Sequence, residues 1–206
     1  MEFDWMGITG LIAAVGVIVK YILDYTQKTY NERKAFELKE KEEAAKVRAS
    51  SEKLHAQRIF GEIWRLLAEL ADAGATRVFI IQPHPLSKPA NLSVYYEARE
   101  RGVMSICTDF HTISVSEVAG FHCEISSRDF FYWPTIEPMK DKRAFAIFHN
   151  LGVESMAAKR MIDSDGQWCG SLVVTFDNET PTDATYLKGK MFEVANDLQY
   201  IIPEIV

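Results

Sequence analysis

The residues able to do chemistry are few, and their spacing suits little of it. His111, His122, Cys123 and Glu124 are of types that ligate a transition metal. His122 and Cys123 are neighbours, and neighbours on a strand point to opposite faces, so the two do not chelate one ion together. No metal centre is expected. The cysteines, Cys107, Cys123 and Cys169, are odd in number and widely spaced, which is no disulfide framework. A reducing compartment is the easier reading. No motif surrounds any of them that would mark a Cys–His nucleophile. There is no Gly-rich phosphate loop and no Glu-x-x-His pair. The expectation is a non-enzyme without a cofactor; a redox enzyme using one of the cysteines is the competing class. What remains is Arg128 followed by Phe130-Phe131-Tyr132-Trp133-Pro134. Such a run makes either the aromatic wall of a ligand pocket or ordinary core filling.

The elements that must position these residues centre on Leu151–Phe176. Asp163-Ser164-Asp165-Gly166 is a tight-turn signal between two strand-like runs. In the second run Trp168, Gly170, Leu172, Val174 and Phe176 share one face at period two, and Ser171, Val173 and Thr175 the other. Gly170 is a candidate for a bulge or a close backbone approach. Earlier, Arg77–Gln82, Leu92–Arg99 and Val103–Thr108 read as strands, and Thr112–Val115 alternates briefly. Pro83–Pro89 breaks the first of these. Ser126–Lys142 reads as a long irregular loop or short helix. Asp177–Asp183 is a polar loop, and Ala184–Ile202 a terminal helix with apolar residues at helical spacing. The fold class is α+β, an antiparallel sheet flanked by helices.

Trp5–Leu23 is apolar on all sides, with Lys20 its only charge. As a helix its nineteen residues span roughly 28 Å, one hydrocarbon thickness. Trp5, Tyr21 and Tyr25 sit as interfacial aromatics do. Glu2 and Asp4 stand where a signal peptide would be basic. The expectation is an uncleaved transmembrane helix. Lys20 stands near its C-terminal end, Lys28, Arg33 and Lys34 follow it and no basic residue precedes it, which puts the rest of the chain on the cytoplasmic side of the inner membrane, single-pass.

Thr26–Ala73 lacks Pro and is rich in helix formers, with ten basic and nine acidic residues. A 3-4 spaced seam runs from Leu38 through Glu42, Ala45, Ala49, Glu52 and Ala56 to Ile59, Ile63, Leu66 and Leu70. It serves a dimeric coiled coil or a lone helix whose last turns pack on the following domain. Three segments result: 5–23 transmembrane, 26–73 charged helix, 74–206 globular. From Arg77 onward there are 12 Lys and Arg against 17 Asp and Glu. That surface is a poor counterion for phosphate, and no nucleic acid is expected as a partner.

The helix leading into Ala75-Thr76-Arg77-Val78-Phe79-Ile80-Ile81, the late Leu151-Gly152-Val153, the Ile162–Val174 hairpin and the closing amphipathic helix resemble a GAF domain, the small sensory fold of signalling proteins. The resemblance implies a small α+β module with an antiparallel sheet, whose relatives bind cyclic nucleotides, bilins, haem or small metabolites, or only dimerise. The cyclic-nucleotide signature is missing. The bilin branch places Cys directly before His, whereas this chain has His122-Cys123. In GAF-like folds the segment between the central strands covers the pocket. This implies Phe130, Phe131, Tyr132 and Trp133 as an aromatic lid, with Arg128 or Lys142 facing a charged small-molecule ligand. The functional expectation is a membrane-anchored sensory or regulatory module, acting through a partner or as a homodimer, with the lipid bilayer as its other partner. The alternative is a ligand-free membrane-anchored scaffold, of the kind tailed phages encode for lysis or host takeover.

Overall fold

The computed structural model describes residues 5–84, 90–178 and 183–202; of residues 5–19, 21–25 and 32 it describes the backbone alone. The chain divides into two units, Met1–Ser51 and Glu52–Val206. In the first unit the described backbone is helical and its described side chains are almost all exposed, Phe36, Leu38 and Val47 among them. This helix, α1, is assigned over Trp5–Glu69. The side chains of the expected span Trp5–Leu23 lie outside the described residues, Lys20 apart. Among the described residues no helix is long and apolar enough to cross a membrane.

The second unit is built on one antiparallel sheet of six strands in the order β3-β2-β1-β6-β5-β4. The strands are β1 (Ala75–His84), β2 (Asn91–Arg99), β3 (Ile113–Ser114), β4 (Phe130–Trp133), β5 (Ser155–Ile162) and β6 (Trp168–Phe176). The central strand β1 is buried from Arg77 to Pro83, so it reads as a nearly unbroken apolar run. Period two still sorts its side chains: Val78 and Ile80 to one face, Phe79 and Ile81 to the other. Pro83 lies past the last β6 partner of β1, the Ile81–Ser171 pair, so its missing N–H costs that ladder nothing.

One face carries the last turns of α1 and the terminal helix α4 (Ala184–Leu198). Ile59, Ile63, Leu66 and Leu70 are fully buried there, with Leu187, Met191 and Leu198, over Val78, Ile80, Leu172 and Val174. The strong half of the expected coiled-coil seam is therefore packing within the chain. Its wide aliphatic side chains fill the sheet face that a thin Ala/Glu seam would have left bare. At the rim Arg65 pairs with Glu62, Glu69 and Glu193, and Lys190 with Glu69. Partly exposed pairs of this kind add little energy. Beyond α1 the turn Ala71–Ala73 runs into Gly74 at φ 83°, the expected glycine stop.

The other face is covered by α2 (Ala119–Ser127), α3 (Lys142–Asn150) and their connections. Several expectations need correction here. Val103–Thr108 is no strand but irregular backbone that bends and turns from Ile106 on, and Thr112–Val115 contributes only the two residues of β3. Ser126–Lys142 is not one irregular piece, since it contains the edge strand β4. Helix α3 follows, starting with the Asp141 carboxylate accepting from Arg143 N–H and Ala144 N–H. His122 and Cys123 lie on α2, so the strand argument about them does not apply. The expected Pro83–Pro89 break and Asp177–Asp183 loop fall largely on residues 85–89 and 179–182, outside the described residues.

The β5–β6 hairpin forms as expected, with Gly166 at φ 77° in the turn. Its faces differ from the period-two reading at one place. Met161 pairs with Gly170 and Ile162 with Trp168, leaving Cys169 as an extra residue. The insertion flips the parity: Trp168 packs with the α2/α3 face while Leu172, Val174 and Phe176 pack with the α1/α4 face. Gly170 is the close approach. A Cβ there would sit 2.9 Å from the Ile81 carbonyl oxygen, a backbone atom that cannot swing aside. Gly170→Ala is expected to cost roughly 1–3 kcal/mol in urea unfolding, as overpacking does. A change within ±0.5 kcal/mol, the usual surface range, would refute the contact.

Candidate functional site

The four residues expected to make a lid, and Arg128 beside them, are not brought to one pocket. Strand alternation on β4 sends Phe131 and Trp133 into the α2/α3 core, with ring centroids 4.5 Å apart. Phe130 and Tyr132 go to the opposite face, beside Phe192 and Phe176. Arg128, at the end of α2, pairs with Glu124 at 2.7 Å. Lys142 lies elsewhere, in a shallow cleft with Glu137, Lys140 and Phe145. The segment is thus a structural edge of the sheet: β4 pairs residue for residue with β5, from Phe130–Lys159 to Trp133–Met156.

Beneath α2 and α3 the sheet is covered by rings. Phe79, Phe110, Phe121 and Phe148 are all fully buried, with centroid separations from 5.3 to 6.5 Å.

The groups with reactive potential are held in quiet settings. On α2 His122 packs edge-on against Trp168, ring centroids 5.2 Å apart, and burial lowers its pKa. Cys123 is exposed. Successive helix positions diverge by about 100°, which keeps the two side chains apart. Among the described residues no three of His, Cys, Asp or Glu converge on a metal position. Cys107 lies 3.5 Å from Glu97 Oε2, and burial, followed by that carboxylate, pushes its thiol up to about 11. Cys169 is buried and likewise pushed up to about 11, mainly by burial. A pKa of 11 leaves only about one thiolate in a thousand at pH 8. Labelling with an aromatic disulfide reagent at pH 8 should therefore modify Cys123 quickly and Cys107 very slowly. The Cys107 rate should climb as pH approaches 11. Equal rates for Cys107 and Cys123 at pH 8 would contradict this and revive a redox role.

One buried charge has no counterpart in the sequence reading. Arg77 is 1% exposed. Its Nε donates to the Met104 carbonyl at 2.9 Å, one terminal nitrogen to the Leu151 carbonyl at 2.7 Å, and the other to Asp177 Oδ1 at 2.9 Å. It thereby ties the β2–β3 connection to the end of α3. Glu97 pins the same connection through Ser105 Oγ and Ile106 N–H, and Ser93 Oγ accepts from Thr112 N–H. Thr112 sits at φ 60°, a left-handed position held by these bonds. Between the two tied segments opens a cleft of about 260 Å³, lined by Met104, Asp109, Arg143, Ala146, Ile147, Asn150 and Leu151. It is the candidate ligand site: preformed, apolar at its base, with a few polar groups at its walls. The sequence held a partial signal for it in Arg143, Ile147 and Asn150 at helical spacing. Nothing local marked Arg77 or Asp109.

No protein-family model and no curated protein matches the sequence. Solved structures do match the fold. A far-red cyanobacteriochrome photoreceptor superposes with a TM-score of 0.56 at 11% identity, over 78% of this chain and 93% of that one. The blue-light absorbing form of the Thermosynechococcus elongatus PixJ GAF domain gives 0.53 at 15% identity, over 72% and 88%. The phycocyanobilin-bound GAF domain of a cyanobacterial phytochrome gives 0.51 at 16% identity, over 72% and 91%. With its six-stranded antiparallel sheet and flanking helices, the chain has a GAF-like fold.

Proposed function

We propose that this chain is a membrane-tethered GAF-like sensory or regulatory module, its domain on the cytoplasmic side, whose output passes through a partner or through dimerisation. The observation that carries the reading is the double role of α1. Its start is the apolar run Trp5–Leu23, and its last turns, Ile59 to Leu70, are core residues of the GAF-like unit. A helix built into the core is affected by any change in that core. The fold supports a sensory role by analogy, since its structural neighbours include photoreceptors. Their chromophore is not carried over: the dipeptide order is His122-Cys123, and four buried rings occupy the sheet face below α2 and α3. Those rings also favour the second reading, a ligand-free membrane-anchored scaffold.

Both readings lack a catalytic step, so both require a protein contact. Chemical crosslinking of the full chain in its native membrane tests this. The expected result is a discrete adduct, with a second copy or with one other protein. A chain that stays monomeric at saturating crosslinker would contradict the proposal.

A further inference from the structure

The walls of the cleft beside α3 carry opposite charges that do not meet. Arg143, Ala146, Ile147 and Asn150 are spaced i, i+3, i+4 and i+7, so they form one face of α3. Met104 and Asp109 stand on the opposite wall, and Leu151 lies at the helix end. Among the described residues, neither the Arg143 guanidinium nor the Asp109 carboxylate belongs to an ion pair, with the other or with any third group. Both are exposed, while Ile147 and Leu151 beside them are buried. The walls do not depend on a ligand for their position, because buried Arg77 holds the Met104 and Leu151 carbonyls together. Preformed walls spare a ligand the cost of ordering them.

This pattern selects the ligand's charge. A simple anion drawn to Arg143 meets Asp109, and a simple cation drawn to Asp109 meets Arg143. A molecule carrying both charges satisfies both walls. A cleft of about 260 Å³ lies just below the usual range for drug-sized ligands and suits a small metabolite. Its base is apolar through buried Ile147 and Leu151, and the exposed Met104 thioether on the facing wall adapts to aliphatic groups.

We propose that this cleft binds a free α-amino acid with an aliphatic side chain. The carboxylate pairs with Arg143, the ammonium with Asp109, and the side chain lies over Ile147, Leu151 and Met104. The Asn150 amide is available to either charged end. This deepens the sensory reading by supplying its input, and rests on that reading for its consequence.

Isothermal titration of the full chain in detergent tests it, with L-leucine, N-acetyl-L-leucine and L-leucinamide as probes. N-acetylation removes the ammonium charge and amidation removes the carboxylate. L-leucine is expected to bind saturably, and each blocked derivative at least about tenfold more weakly. Arg143→Gln should lower leucine affinity at least about tenfold and leave leucinamide almost unchanged; Asp109→Asn should do the same for leucine and spare N-acetyl-leucine. Both side chains are exposed, so neither change threatens folding. No saturable binding of leucine up to about 10 mM, or equal affinity for all three probes, would overturn the proposal. The titration does not depend on membrane residence or crosslinking, so its failure is distinguishable from failure of the tether or of the partner contact.

Discussion

Ile63→Glu is expected to unfold the GAF-like unit rather than to separate a dimer. Ile63 is 0% exposed within a single chain, between Ile59, Leu66 and Leu70 of α1 and the sheet. The substitution removes a fully buried aliphatic side chain and places a carboxylate in the apolar core between α1 and the sheet. Desolvating an unpaired charge adds to the lost burial, and the sum is on the order of 5 kcal/mol. Domains of this size hold roughly 5–15 kcal/mol in total, so most of the stability is lost. Circular dichroism and a urea titration measure it directly. A folded, monomeric Ile63→Glu protein would mean that the seam faces a second copy instead.

The second large effect is expected at Phe131. It is 6% exposed and stacks at a tilt against Trp133, inside the core beneath α2 and α3. Truncation to Ala leaves a void lined by packed rings, which typically costs about 3–5 kcal/mol. A mobile lid over a pocket would lose far less, and ligand affinity would fall in its place. Urea unfolding of Phe131→Ala separates the two: a midpoint close to wild type would restore the lid that β4 pairing argues against.

Much of the sheet was legible because its signals are local. Arg77–Gln82, Leu92–Arg99 and the Met156–Phe176 hairpin combine β-branched residues with period two and clear turn residues. The terminal helix carried its apolar stripe in Leu187, Met191, Val194 and Leu198, and the structure adds its cap at Asp183. What was missed depends on distant partners. Helix α2 is short and has no acidic residue in its first turn. The Gly120 N–H at its start is satisfied by Asp141 Oδ2, twenty-one residues downstream. Strand β4 is a run of four aromatics before a proline, and only its pairing with β5 makes it a strand. The face of Trp168 was misread because one bulged residue reverses parity.

The site was harder to read for the same reason. An arginine inside RVFIIQ gives no sign that it will clamp two carbonyls 27 and 74 residues away. Asp109 and Arg143 face one cleft only because Arg77, Glu97 and Ser93 fix the connection between β2 and β3. The aromatic run drew attention by composition, yet its alternation over two faces is the ordinary behaviour of a half-buried strand.

Membrane residence is the claim on which the tethered reading stands, and alkaline carbonate extraction of the full chain measures it most directly. A run of nineteen residues whose only charge is Lys20 should hold the protein in the membrane pellet after peripheral proteins are stripped. Recovery of the full chain in the supernatant would contradict the account.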